Sequence, residues 1–228
     1  MTHKTLNTSF AALLLTGLVA LNARSVDSQA RLGAGATFDL GNDFRVDIAT
    51  EQRFNKDLGT YYYGEYDIGV NYKVASWLSV APTFRMAETR KNSQSNWIHE
   101  YRPMLNATLS HTLAGWKFEN RSRFEWRNYD SPKDADSILR YRNRVKVTTP
   151  WQWTNLKINP YASVEIFQDC NGEKTALQNY EAAIGLTAAL SDSASLDVYY
   201  MAEFKENASK HATPHTADIF GAVVKFKF

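Results

Sequence analysis

One cysteine, Cys170, is all that the 228 residues hold, so an intrachain disulfide is excluded and an unpaired, exposed thiol is expected. No long apolar run follows residue 30, which leaves no segment of about 20 residues able to cross a bilayer as a helix. Neither sign of charge dominates. The 26 Lys and Arg against 24 Asp and Glu give a net +2 without a basic tail, so no nucleic-acid partner is expected. Histidine is scarce, and His99, His111, His211 and His215 are the only ones beyond the amino-terminal region. His99 shares a face with Trp97 and Tyr101 and reads as an interfacial ring, while no Ser–His–acid arrangement surrounds His111. His211 and His215 read as solvated loop residues. The acidic stretches 130–136 and 169–173 lack the spacing of a calcium loop. No metal, cofactor or catalytic residue is therefore expected.

What is present begins with an export signal. Lys4 precedes an apolar stretch from Phe10 to Ala20 that is too short for a membrane anchor, with cleavage expected after Ala23 or after Ala30. No cysteine follows it to carry a lipid. Residues 31–228 then read as one domain.

Across that domain, polar and apolar residues alternate with period two, the mark of strands with two unlike faces. Strands are expected at 44–54, 60–74, 77–88, 96–112, 116–129, 137–149, 156–167, 176–190, 194–206 and 216–228. Tight connections at 75–76, 113–115, 150–155 and 191–193 alternate with longer polar ones at 89–95, 130–136, 168–175 and 207–215. Short turns at one end and longer loops at the other describe an outer-membrane meander. Trp77, Trp116, Trp151 and Trp153 lie beside the tight turns; Trp97, Trp126 and Tyr61 to Tyr63 lie beside the longer loops, as two interfacial girdles would require. The expected fold is an all-β, antiparallel transmembrane barrel of 10–12 strands with a charged lumen. Residues 32–40 would supply an eleventh strand, whereas a chain that starts and ends on the same side needs ten or twelve.

Two strands carry the charge pattern furthest. Residues 117–127 and 140–146 place Lys117, Arg121, Arg123, Arg127, Arg140, Arg142, Arg144 and Lys146 on one face, with Glu119 and Glu125 among them. The opposite face is aromatic and aliphatic. Compensating carboxylates are expected from Asp47, Glu51, Glu65 and Asp67 on the first two of the ten strands, lying roughly opposite the basic pair, and from Glu100, Glu165, Glu181, Asp197 and Glu203 elsewhere. The chain closes with Phe220, Ala222, Val224, Phe226 and Phe228 on one face and Lys225 and Lys227 on the other. Such a terminal Phe resembles the last strand of bacterial outer-membrane proteins, which implies their assembly machinery and outer-membrane lipid as partners and the bacterial outer membrane as location.

Glu51-Gln-Arg-Phe54, Arg121-Ser-Arg-Phe-Glu-Trp-Arg127 and Arg140-Tyr-Arg-Asn-Arg144, in that order, resemble the outer-membrane barrel family catalogued as domain of unknown function 2490. The resemblance spans roughly residues 31–228 and implies fold and location, not an activity.

Two functions remain open for the lumen. A wet channel with a basic wall would favour small acidic solutes, with Arg121, Arg123, Arg140, Arg142 and Arg144 as its filter. Alternatively, arginine and carboxylate side chains interlock and close it, leaving a structural or surface-interaction barrel. A rim-type hydrolase is the third reading, and none of the histidines favours it.

Overall fold

A computed structural model gives residues 26–90, 95–130, 137–170, 177–205 and 215–228 of the protein. The signal region, Ala23, His211 and most of the longer connections lie outside the described residues. Ala30, the other expected cleavage point, is inside the first strand.

Eleven strands appear among the described residues: β1 (Asp27–Gly41), β2 (Phe44–Asn55), β3 (Thr60–Ala75), β4 (Leu78–Thr89), β5 (Ile98–Leu113), β6 (Trp116–Tyr129), β7 (Ile138–Thr148), β8 (Asn159–Asp169), β9 (Leu177–Ala189), β10 (Ala194–Lys205) and β11 (His215–Lys227). Each pairs antiparallel with its sequence neighbours, and β1 closes on β11 into a barrel. The even number expected from the sequence is not found. β1 and β11 run in the same direction and pair in parallel from Asp27↔Ala217 to Thr37↔Lys227. An antiparallel closure requires an even count; a parallel one removes that requirement at a small loss in hydrogen-bond geometry. The carboxy-terminal Phe228 holds this seam, donating its backbone N–H to Thr37 and accepting one from Asp39, with its ring stacked on Phe38.

The tight turns run through positive φ. Ala114 at 49° and Gly115 at 81° sit between β5 and β6, the two left-handed residues of a type I′ hairpin turn. Gly115 also leaves room for Pro150, since a Cβ there would lie 2.8 Å from that ring. The connection expected at 150–155 is longer than that. Trp153 and Ile158 form their own bridge, which delays β8 to Asn159, and the carbonyl of Leu156 takes the amide of Ala189 at 2.8 Å.

Alternation decides the two faces of the wall. Leu32, Ile48, Ile68, Leu105, Val145, Val164 and Ile184 point outward and stay exposed, the surface a hydrocarbon layer would cover. Arg31, Glu65, Arg85, Glu100, Arg102, Arg123, Glu125, Glu165 and Glu181 point inward and are buried. The core of this protein is therefore its lumen, and most of it is ionic.

The girdle at the long-loop end is narrower than the sequence pattern implies. A register shift between Arg53 and Phe54 turns Tyr61 outward, against Phe54 and Trp97. Tyr62 and Tyr63 turn inward and donate their hydroxyls to Gln29 and Glu65. At the other end, Trp116 and Trp151 meet edge to face at 5.6 Å.

Candidate functional site

Neighbouring strands β6 and β7 point every basic residue of the ladder into the barrel. Their register sets Arg121 opposite Arg144 and Arg123 opposite Arg142. Like charges directly opposed on one face destabilise a sheet unless something neutral or negative comes between them. Carboxylates from β5, β6 and β8 do so.

Glu125 has no exposed surface and is the centre of this layer. Its Oε1 accepts from Arg142 at 3.0 Å and lies 3.5 Å from Arg123, while Oε2 lies 3.5 Å from Arg102. Glu165 Oε1 is shared by Arg121 at 2.8 Å and Arg142 at 3.0 Å. Glu100 receives Arg102 through two bonds of 2.8 Å, and Arg127 through bonds of 2.6 and 3.0 Å. Asn106 accepts from Arg123 Nε, and the Arg142 guanidinium lies over the ring of Phe167. Planar guanidinium forks suit this task because each can serve two carboxylates at once. Desolvated charges survive in such a layer only when paired, since an isolated one costs several kcal/mol.

The carboxylates of β2 and β3 do not reach the ladder, which corrects the expectation that they compensate it across the lumen. Glu65 and Asp67 hold Arg85, and Glu51 holds Arg53 at 2.6 Å. Asp47 accepts the hydroxyl of Thr37. The physical reason is local. Cations on the same or an adjacent strand already sit within reach, so side chains need not cross the lumen. Arg31, Arg53, Arg85 and Arg102, absent from the expected set, are central to this. Arg31 joins β1 to β9 through Glu181 at 2.8 Å. Alternation applied to β1, β2, β4 and β5 would have pointed all four inward.

On the tight-turn side of the ionic layer the lumen widens into a polar vestibule of about 670 Å³. Its wall includes Asp39, Arg45, Lys73, Thr108, Lys117 and Glu119. Lys117 and Glu119 pair at 3.0 Å, with the Lys117 side chain half exposed. Asp197 accepts from Tyr161 at 2.6 Å and from Lys225 at 3.3 Å, with Lys146 at 3.9 Å. At the long-loop end, Arg140 meets Asp169 at 2.7 Å. Arg144 alone of the ladder has no ion pair within 4.0 Å among the described residues.

No group of three or more metal-ligating side chains occurs among the described residues. His215 departs from the solvated-loop reading. It opens β11, with Nε2 3.2 Å from Asp218 and its ring against Phe204, while Asp218 also takes the Tyr200 hydroxyl. His99 and His111 are exposed, on the outward face of β5. Cys170 is exposed as well.

Comparison with functionally curated proteins finds no match. Among solved structures, LpxR from Salmonella typhimurium aligns with a TM-score of 0.48 at 11% identity, over 85% of this chain and 87% of that one. The NanC porin aligns with a TM-score of 0.49 at 14% identity, over 78% and 87%. Both likenesses are too distant to carry residue roles across. Residues 29–213 match a family profile that takes in nearly all of β1 through β10, and the chain belongs to the family described as protein of unknown function (DUF2490).

Proposed function

We propose that the protein is a bacterial outer-membrane barrel whose lumen is closed to diffusing solutes, serving the membrane as a structural or surface-interaction barrel rather than as an open pore. The observation that carries this reading is Glu125, without exposed surface and facing Arg102, Arg123 and Arg142 from β5, β6 and β7. A water-filled passage would leave such groups wet. The outward apolar band and the terminal strand ending in Phe228 support outer-membrane lipid and the outer-membrane assembly machinery as partners. The tight turns then face the periplasm and the longer loops the exterior. Processing after Ala23 keeps β1 whole, whereas cleavage after Ala30 removes its first four residues, Asp27 to Ala30. No chemical step is assigned to the barrel.

The competing reading is a narrow anion-preferring channel, which requires the ionic layer to part. Conductance of the refolded mature protein in a planar bilayer under a salt gradient separates the two, with folding checked by heat-modifiable gel mobility. A silent bilayer is expected. Discrete steps with an anion-selective reversal potential would overturn closure.

A further inference from the structure

We propose that the lumen contains a binding site for a small oxyanion one inward-facing step deeper than Glu119 on the vestibule wall, with Arg144 and Arg121 as its donors. The site is a terminus rather than a passage only if the lumen is closed, so this inference rests on the preceding reading.

The register of β6 and β7 sets Arg121 and Arg144 side by side on the inward face. Directly opposed residues of an antiparallel pair have Cα atoms about 4.5–5.5 Å apart. Like charges on directly opposed residues repel unless an anion joins them. Glu165 is the register partner of Arg144 on β8, yet its Oε1 is turned to Arg121 and Arg142. The other nearby carboxylates are engaged too, Glu119 with Lys117 and Asp197 with Tyr161 and Lys225.

Two sets of donors are left over. Arg144 is half-buried and has no ion pair within 4.0 Å among the described residues, and Nε of Arg121 is buried without a hydrogen-bond partner. A ligand with two or three oxygens on one centre, a phosphate or a carboxylate, matches both, because a guanidinium edge offers parallel N–H groups at the spacing of two such oxygens. Lys146, one inward step toward the vestibule and 3.9 Å from its nearest carboxylate, adds positive charge at the entrance. Toward the exterior, Arg142, Arg123 and Glu125 close the site, so the ligand enters from the periplasmic side and is small.

Calorimetric titration of inorganic phosphate into the folded full-length mature protein in detergent, against sodium chloride at matched ionic strength, tests the site. Succinate serves as a second probe that separates carboxylate from phosphate recognition. One saturable site per barrel is expected for at least one probe. Arg144→Gln should weaken it about tenfold or more, the loss of one charge-assisted hydrogen bond, and Arg144→Lys should fall between. Because Arg144 makes no ion pair within 4.0 Å among the described residues and Glu165 keeps both Arg121 and Arg142, the Gln variant orphans no carboxylate, and its heat-modifiable mobility should match wild type. Binding no stronger than the chloride control for both probes overturns the site, as does unchanged affinity in Arg144→Gln. A barrel that conducts but binds phosphate through Arg144 overturns closure and leaves the site standing. A silent barrel without binding does the reverse.

Discussion

The lumen is two unlike regions built by one rule. In the layer around Glu125, charges are paired, shared and almost wholly buried, whereas in the vestibule Lys117 is half exposed and pairs with Glu119 alone among the described residues. Both come from the same alternation on the same strands, so period two decides only which way a side chain points. Its height along the strand, and how many long side chains converge there, decide whether its charge is dry. A buried ion pair and a wet one therefore look identical as sequence.

Removing the central carboxylate should break this contrast most severely. Glu125→Ala leaves Arg102, Arg123 and Arg142 without their shared partner and should cost about 3–5 kcal/mol, the range for one-sided removal of a buried pair. Urea unfolding followed by gel mobility measures it. A loss below about 1 kcal/mol would mean that water already reaches these arginines.

A smaller effect is expected where a glycine backbone lies under an aromatic ring. Gly221 lets the Tyr199 ring pack against the backbone of β11, and a Cβ at that position would clash with the hydroxyl end of the ring. Gly221→Ala should cost about 1–3 kcal/mol through overpacking. If the same unfolding assay shows no change, the ring is free to move away and does not fill the lumen.

The smallest effect belongs to the vestibule. Lys117→Ala should change stability by less than about 1 kcal/mol, and added salt should shrink the difference further. A loss comparable to that of Glu125→Ala would erase the distinction between the two regions.

The fold was largely legible because alternation and turn chemistry are local. The ten expected strands reappear with ends shifted by up to three residues, and the segment around 32–40 is a full strand. Closure was not legible, since nothing in residues 27–37 states that they will meet 217–227 in parallel. The direction of the ladder could be read from Lys117 to Lys146, but its partners could not. Pairing depends on reach, to the adjacent strand where Arg85 takes Glu65 and Asp67, but over intervening strands where Arg31 meets Glu181 and Arg121 meets Glu165. The shift at Arg53 and Phe54 divided the three tyrosines 61–63, and register shifts of this kind leave no mark in composition.

An odd ring has a consequence for topology. Since β1 and β11 run the same way, the chain enters its first strand on the side opposite to the one where Phe228 ends. In the proposed orientation Asp27 faces the outside of the cell and the carboxyl terminus faces the periplasm. A peptide grafted just before Asp27 would be displayed to antibodies on intact cells, and one appended after Phe228 would stay hidden until the membrane is opened.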